Sequence, residues 1–197
     1  MLLCSMEKFI QFLNEKVHLS TEDKSFLRNR LKLKTFEKGA SILREGQVSQ
    51  SFYFNVEGFV RLFYLRGHEE RTAYFYPEGV FISAYESFVK QKPSKVNLEA
   101  AETSKLIEIN AEASMALLQY DPKFESIARA IMEEELIAHQ RIIESLLTLS
   151  AEERYGQLME ESPWIFGRIP QQHIASYIGV QPESLSRIKK RYLERRS

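Results

Sequence analysis

The residues whose types and spacing could do chemistry lie in residues 171–192, which have the sequence QQHIASYIGVQPESLSRIKKRY. The chemistry that they offer is hydrogen bonding to the edges of nucleic-acid bases. Arg187 has the two-pronged donor that binds guanine O6 and N7, and Glu183 has an acceptor for a cytosine amino group. Gln181 and Ser184 belong to the same predicted set of base contacts, and the Ser184 hydroxyl also suits a phosphate oxygen.

A second set of residues near the C-terminus suits the phosphate backbone of DNA. Lysine and arginine neutralise phosphates without reading sequence. The predicted phosphate contacts are Lys189, Lys190, Arg191 and Arg168. From Arg168 onward seven cations stand against two glutamates, a net charge of +5, although the whole chain has a formal net charge of +0. A solvated helix end explains a basic tail equally well, so the assignment depends on the elements that carry these residues.

Apolar residues in the same segment predict a helix-turn-helix that positions these side chains. Their spacing lets two short helices bury one face against each other: Ile174, Ile178, Val180, Leu185 and Ile188. Ala175 is small where the helices would cross, and Gly179 suits the left-handed backbone of the turn. Pro182 falls in the first turn of the second helix, where its missing N–H costs nothing. A generic helical hairpin is the alternative, but it would match only some of these positions.

Before this segment, the spacing of the apolar residues changes from a helical pattern to a strand pattern. Residues 7–18 have apolar side chains at helical spacing, and a second short helix is predicted after Ser20 and through Leu31. From Leu33, short segments rich in Phe, Tyr, Val and Ile alternate with glycines, which predicts strands joined by tight turns. We therefore expect a rolled antiparallel β domain between about residues 33 and 110, closed so that its strand edges are hidden.

After Asp121 and Pro122 the pattern predicts a single helix of about 27 residues. Two neighbouring apolar stripes run along it, Phe124, Ile127, Ile131, Ala138 and Ile142 in the first and Met132, Leu136, Ile143 and Leu146 in the second. So wide an apolar surface needs two partners. We expect one to be the β domain and the other to be the same helix of a second subunit. Burial of the whole helix within one subunit is the alternative.

These patterns predict three domains. N-terminal helices and the β domain occupy residues 1–120, a dimerisation helix residues 121–148, and the helix-turn-helix residues 149–197. The predicted fold class is α+β: an antiparallel β-roll (a jelly-roll-like double-stranded β-helix) with flanking helices, a long dimerisation helix and a C-terminal helix-turn-helix domain. No apolar run is long enough to cross a membrane and the N-terminus does not resemble a secretory signal, so we expect a cytoplasmic protein.

The sequence offers no support for an enzyme or a metal site. The histidines fall in four different predicted elements: His18, His68, His139 and His173. They lack the clustered spacing of metal ligands. The single cysteine, Cys4, cannot form an internal disulfide or hold an iron-sulfur cluster. We therefore expect no catalytic residue and no metal ligand.

The order of β domain, long helix and helix-turn-helix resembles the Crp/Fnr family of bacterial transcription regulators. The matching segments are FEKGASILREGQVSQSFYFNVEGFVRLFY and YPEGVFIS in the β domain, and the long helix with IPQQHIASYIGVQPESLSRIKK behind it. The resemblance implies a cyclic-nucleotide-binding-like β-roll. It also implies a homodimer on pseudo-palindromic double-stranded DNA, with recognition helices about 34 Å apart. RNA polymerase becomes a candidate protein partner.

The sequence departs from this family where its members hold cyclic AMP. The resemblance puts a Gly-Glu pair for the ribose and an Arg-Ser pair for the phosphate at positions that are Ser83-Ala84 and Ser94-Lys95 here. Without the guanidinium and the carboxylate the nucleotide loses its charge-assisted partners. We predict no cofactor and no response to cyclic AMP.

The corresponding region of the β-roll is still a candidate ligand pocket. Its predicted lining is Phe81, Ser83, Ala84, Tyr85, Phe88, Ser94 and Lys95. Two interpretations stay open, namely that a small apolar or mixed ligand binds there, or that the aromatic side chains of the roll fill the space themselves.

Two more departures concern DNA. Pro182 stands where the family often has an arginine, and we expect no β-hairpin wing of the kind that many members of the family have after the second helix. We expect residues 164–170 to supply a short strand instead. An alternative function is a ligand-sensing or protein-interaction module that does not bind DNA.

Overall fold

The computed structural model describes residues 2–194, with side chains from Ser5 onward. Helices α1 (Leu2–Lys16) and α2 (Thr21–Arg30) come first. The strands that follow are β1 (Lys32–Phe36), β2 (Ser41–Leu43), β3 (Ser51–Glu57), β4 (Val60–Arg66), β5 (Glu69–Tyr76), β6 (Phe81–Ile82), β7 (Asn97–Ala100) and β8 (Ser104–Asn110). Helix α3 (Tyr85–Lys90) lies between β6 and β7.

The strands form two antiparallel sheets, with the orders β1-β8-β3-β6 and β2-β7-β4-β5. Phe54 stands opposite Ile107 in the first sheet, and Leu62 stands opposite Leu98 in the second. The apolar residues of one core cluster come from both sheets: Leu43, Val60, Tyr76, Ile82, Leu98 and Leu106. The rolled β domain predicted from the alternation of aromatic segments and glycines is thereby confirmed.

Gly58 shows why the turns between these strands need glycine. It forms the turn between β3 and β4 with a φ of +100°. A Cβ at this position would lie 2.5 Å from the Ser104 Oγ atom and 2.6 Å from the Ser104 Cα atom. Both the backbone angle and the close approach of the neighbouring chain therefore require glycine.

The second core cluster joins the N-terminal helices to the first sheet. Phe9 of α1, Leu27 of α2, Phe54 of β3 and Phe124 of the long helix are buried in it together. The entry to α2 is a capping box, because the Asp23 N–H donates to Ser20 Oγ and the Ser20 N–H donates to Asp23 Oδ2.

The remaining helices follow the β domain. They are α4 (Ala111–Tyr120), α5 (Pro122–Thr148), α6 (Ala151–Glu161), α7 (Ile165–Arg168), α8 (Gln171–Ile178) and α9 (Pro182–Glu194). The long helix α5 has 27 residues, which confirms the length expected for the segment after Pro122.

The short strand expected in residues 164–170 is wrong, because this segment forms α7. The Ile165 N–H donates to the Ser162 carbonyl at 3.1 Å, and the Phe166 N–H donates to the Pro163 carbonyl at 3.4 Å. Ile165 and Ile169 are buried, and their spacing of four residues puts both on one side of a helical turn. Burial of this pair explains why the segment forms a helical turn rather than the expected strand.

The chain divides into two compact units. The first contains the residues up to Tyr64 together with Tyr74–Ile131, and the second contains Leu65–Ala73 together with the residues from Met132 onward. Within residues 2–194, no helix is both long and apolar enough to span a membrane.

Candidate nucleic-acid interface

The helix-turn-helix consists of α8 and α9. Ile174, Ala175 and Ile178 of α8 are buried, as are Leu185 and Ile188 of α9. They include four of the five apolar positions that the sequence assigned to the packed face, and the fifth, Val180, is half-buried. The predicted helix-turn-helix is confirmed.

The turn depends on Gly179, which has a φ of +83°. A left-handed residue directly after a helix lets the next N–H groups return to the last carbonyls. The Val180 N–H accordingly donates to the Ala175 carbonyl at 2.9 Å. A Cβ on Gly179 would meet only Arg154 Nη2 at 3.5 Å, an ordinary contact, so the backbone angle rather than space requires glycine.

The outer face of α9 carries the residues predicted to contact bases. Gln181, Glu183 and Arg187 are exposed, and Ser184 is half-buried. Among residues 2–194, Arg187 makes no ion pair and no side-chain hydrogen bond, although Glu183 lies one turn before it. Its guanidinium donors are therefore available to an external partner.

The cations predicted to bind phosphate differ in their surroundings. Lys189 is exposed, whereas Lys190 Nζ lies 3.8 Å from Glu194 Oε1 and Arg191 Nε lies 3.4 Å from Glu152 Oε2. The Arg168 guanidinium lies over the Trp164 ring, 5.4 Å from its centroid. Arg191 would have to exchange Glu152 for a phosphate. Arg195 and Arg196, which contribute to the basic charge of the tail, lie outside the described residues.

The C-terminal half of α5 presents a row of four apolar residues and one histidine to solvent. We define the α5 seam as residues Met132, Leu136, His139, Ile143 and Leu146, which follow one another at alternating intervals of four and three residues. Leu136 is 60% exposed and Ile143 is 56% exposed. In the first half of α5, by contrast, Phe124 and Ile127 are buried against the β domain. Ala138 and Ile142, which continue the first stripe into the second half of α5, are half-buried.

The residues predicted to line a ligand pocket differ in their surroundings. The Phe81 ring packs against Phe54 with ring centroids 5.2 Å apart, and the Phe88 ring packs against Phe52 at 5.3 Å. Ala84 is buried and Ser83 is half-buried, whereas Tyr85 and Lys95 are exposed. Ser94 is buried, and its hydroxyl donates to the Val96 carbonyl at 2.8 Å. A ligand pocket formed by this set stays a prediction.

A cavity of about 300 Å³ lies elsewhere in the first unit, and none of the predicted pocket residues lines it. Its walls include Leu43, Leu98, Tyr53 and Glu108. Burial and the Glu108 carboxylate raise the pKa of Tyr53 to about 12, so its hydroxyl is neutral at physiological pH. Glu108 itself accepts a hydrogen bond from Lys34 Nζ at 2.7 Å. The cavity therefore offers no uncompensated positive charge to an anionic ligand.

Comparisons with known proteins agree with this architecture. Residues 33–121 match the family model of the cyclic nucleotide-binding domain. A structure described as a Crp/Fnr-family transcriptional regulator from Eubacterium rectale superimposes with a TM-score of 0.73 and 18% identity, covering 94% of this chain and 88% of that one. FixK2 from Bradyrhizobium japonicum superimposes with a TM-score of 0.71 and 16% identity, covering 84% and 85% of the two chains. No curated protein matches the sequence.

The chain has the Crp/Fnr fold. The resemblance noted in the sequence is confirmed at this level, since the domain match covers the β-roll and the Eubacterium rectale structure covers 94% of the chain. The Eubacterium rectale structure is described as a transcriptional regulator, and a third structural match, CLP from Xanthomonas campestris, is described as a global regulator.

Two residues of this Crp/Fnr fold that contact the helix-turn-helix were missed in the sequence. Arg154 of α6 donates from Nε and Nη2 to the Ile178 carbonyl, at 3.0 and 2.8 Å. Gly156, also in α6, faces Tyr192 of α9, and a Cβ there would lie 3.1 Å from the Tyr192 ring. A glycine inside an amphipathic helix was the one available signal, because glycine in a helix interior costs about 1 kcal/mol unless close packing requires it.

A third missed residue is Ser176 of α8. Its hydroxyl accepts the Thr72 N–H at 2.9 Å and donates to the Glu70 carbonyl at 2.9 Å. Both partners belong to β5, an edge strand, and to the segment Leu65–Ala73 of the second unit. The serine thus pairs with backbone groups that an edge strand otherwise leaves to water.

Proposed function

We propose that this chain is a homodimeric, sequence-specific DNA-binding transcription regulator of the cytoplasm that does not respond to cyclic AMP. The observation that carries the proposal is the outer face of α9. This face combines exposed Glu183 and Arg187 with a buried opposite face, on the second helix of a helix-turn-helix. A helix with this distribution can enter the major groove without unfolding its own core.

The proposed division of labour on α9 follows from side-chain chemistry. Arg187 can give two parallel hydrogen bonds to one guanine, and Glu183, one turn earlier, can accept from a neighbouring cytosine amino group. Gln181 and Ser184 extend this set toward the start of the helix. Lys189, Lys190, Arg191 and Arg168 would bind phosphates and set the register on the duplex.

The proposed dimer is supported by the α5 seam. Its intervals of four and three residues are those of a two-stranded coiled coil. Exposed apolar side chains in such a row are costly in a monomer and are typical of an interface. A second copy of α5 is the natural occupant, because a helix-turn-helix reads two half-sites when its subunits are related by a twofold axis.

The absence of a cyclic AMP response is proposed from the residues at the anchor positions. Ala84 and Ser94 are buried, and the Ser94 hydroxyl is engaged with Val96. Lys95 is exposed and offers a point charge rather than a guanidinium fork. The protein partner RNA polymerase stays a prediction.

The proposal is tested by selecting bound sequences from random double-stranded DNA with the purified full chain. We expect an enriched motif with twofold symmetry and half-sites about 10 base pairs apart. Binding to this motif should fall steeply as salt rises, because the phosphate contacts release counterions. No enrichment, together with no DNA binding at low salt, would overturn the proposal and favour a protein-interaction module.

A further inference from the structure

Arg154 lies where the ends of two helices meet. Besides the Ile178 carbonyl at the end of α8, its guanidinium reaches the Leu149 carbonyl, one residue after the end of α5, with Nη1 at 2.5 Å. One side chain therefore joins the helix that carries the α5 seam to the turn of the helix-turn-helix. All of these residues belong to the second unit.

The chemistry of the Arg154 contact suits a role in restraining the relative orientation of two helices. The last carbonyls of a helix have no partner within the helix and carry the negative end of its dipole. A guanidinium is planar, permanently charged and has donors that point in fixed directions. Its three hydrogen bonds to Ile178 and Leu149 thus restrain the direction of α8 relative to the end of α5, which a single-point contact could not do.

The segment between α5 and α6 strengthens this restraint. Only Leu149 and Ser150 connect the two helices, and Ser150 caps α6 through a capping box with Glu153. The Ser145 hydroxyl of α5 also donates to Gln157 Oε1 of α6 at 3.1 Å. Helix α6 is therefore restrained at its start by the capping box and along its side by the hydrogen bond to α5.

Helix α6 also contacts α9. The ring of Tyr155, which is buried, lies 5.3 Å from the ring of Tyr192. Glu152 pairs with Arg191. Because α6 contacts both α5 and α9, a change in the Arg154 contact should alter the direction of α9 without removing any residue from its exposed face.

We propose that Arg154 is a positioning residue that sets the orientation of the helix-turn-helix on the α5 dimer and thereby makes DNA binding sensitive to the spacing of the two half-sites. This inference rests on the proposed function. Arg154 is not assigned a DNA contact. The Ile174, Ile178 and Leu185 core that holds α8 against α9 does not include its guanidinium, so a single half-site should still be read when Arg154 is changed.

The experiment uses the full-length dimer and the variants Arg154→Ala and Arg154→Lys. Arg141→Ala is the matched control, because it removes an exposed arginine from α5. Affinity is measured by fluorescence anisotropy on the selected operator, on operators with base pairs inserted or removed between the half-sites, and on a duplex with one half-site. Circular dichroism and sedimentation verify the fold and the dimer of each variant.

We expect the unchanged chain and Arg141→Ala to lose at least about tenfold in affinity, or 1.4 kcal/mol, when the spacing changes by two base pairs. Arg154→Ala should bind the single half-site within about threefold of the unchanged chain but lose most of its preference for one spacing. Arg154→Lys keeps the positive charge but not the two-pronged donor, so its preference for one spacing should be intermediate between those of the unchanged chain and Arg154→Ala.

The possible failures are distinguishable. Spacing preference in Arg154→Ala equal to that of the unchanged chain would overturn the inference. An equal loss on the operator and on the single half-site would also overturn it, since Arg154 would then only stabilise the helix-turn-helix. If Arg154→Ala does not fold, the same comparison is made with Arg154→Lys. Absence of DNA binding by the unchanged chain refutes the proposed function, and the inference with it.

Discussion

At the scale of single residues, the exposed side chains of α9 differ in what they can recognise. Arg187 has no partner among the described residues, whereas Lys190 lies near Glu194 at the far end of the helix. A forked donor distinguishes guanine from the other bases, but an ammonium group binds any phosphate. The two cations should therefore contribute differently to specificity.

The substitutions Arg187→Ala and Lys190→Ala separate these roles. We expect Arg187→Ala to cost about 1–3 kcal/mol on the selected operator and to relax base preference at one position. Lys190→Ala should weaken binding to all sequences alike and reduce the salt dependence. Anisotropy titrations on operator and random DNA at several salt concentrations measure both effects. Equal losses of Arg187→Ala on the two kinds of DNA would contradict its assignment to a base.

A second residue-scale contact determines how α2 joins the long helix. The Lys123 Nζ atom lies 2.7 Å from Asp23 Oδ2 and 3.3 Å from Asp121 Oδ2. Burial raises the pKa of Asp23, but the hydrogen bonds from Lys123 and Ser20 outweigh it, so the net shift is downward. The hydrogen bond to Asp23 in turn raises the pKa of Lys123.

The lowered pKa of Asp23 predicts a stability that depends on acid. The contribution is fully present above the unfolded pKa of about 3.9 and is lost as the pH falls through the lower folded value. Asp23→Asn should reduce the free energy of unfolding by about 1–3 kcal/mol near neutral pH and remove this part of the pH dependence. Urea unfolding at several pH values measures it. Asp121→Asn is the control, because Asp121 is more exposed and should cost less.

At the scale of elements, the two halves of α5 have different surroundings. Its start is buried with α1 and the first sheet through Phe124 and Ile127, and its second half carries the exposed α5 seam. The length of the helix explains both, since 27 residues at 1.5 Å per residue extend well past the core cluster that buries Phe124 and Ile127.

Leu136→Glu tests the α5 seam. Leu136 is 60% exposed, so a charge should leave the fold of a monomer intact, but it would have to be buried in a coiled-coil interface. We expect the dimer dissociation constant to rise by at least about tenfold, or 1.4 kcal/mol, in sedimentation equilibrium. Leu118→Glu, an exposed leucine on α4, is the control and should leave it unchanged. An unaltered dissociation constant in Leu136→Glu would exclude the α5 seam as the dimer interface.

At the scale of the whole molecule, the β-roll is complete with Ser83-Ala84 and Ser94-Lys95 at the positions predicted for the cyclic nucleotide anchors. Its core is built from Leu43, Val60, Ile82, Leu98 and Leu106, none of which has to touch a ligand for the sheets to pack. A fold of this kind can therefore persist while its ligand chemistry changes.

Cyclic AMP should not stabilise the protein. A ligand present at 100 times its Kd adds about 2.7 kcal/mol to the free energy of unfolding, which would be visible as a rise in Tm. We expect Tm to stay constant when cyclic AMP is added to about 1 mM. Differential scanning calorimetry measures this, and isothermal titration provides an independent reading. A saturable rise in Tm would show that other residues replace the missing anchors.

The sequence by itself determined the features that depend on near neighbours in the chain. The helix-turn-helix followed from apolar spacing and Gly179, because both the packed face and the left-handed turn are properties of about 20 consecutive residues. The length of α5 followed in the same way from its periodicity. The alternation of aromatic segments and glycines predicted the rolled β domain.

Only the tertiary structure decided the features that depend on contacts between segments far apart in the sequence. Residues 164–170 became α7 rather than a strand because Ile165 and Ile169 are buried together. Arg154 had no pattern of its own in the sequence, since its partners are backbone carbonyls, and every residue type has one. Periodicity shows which face of a helix is apolar, but the orientation of a helix-turn-helix depends on contacts between helix ends. Such contacts exist only once the chain has folded.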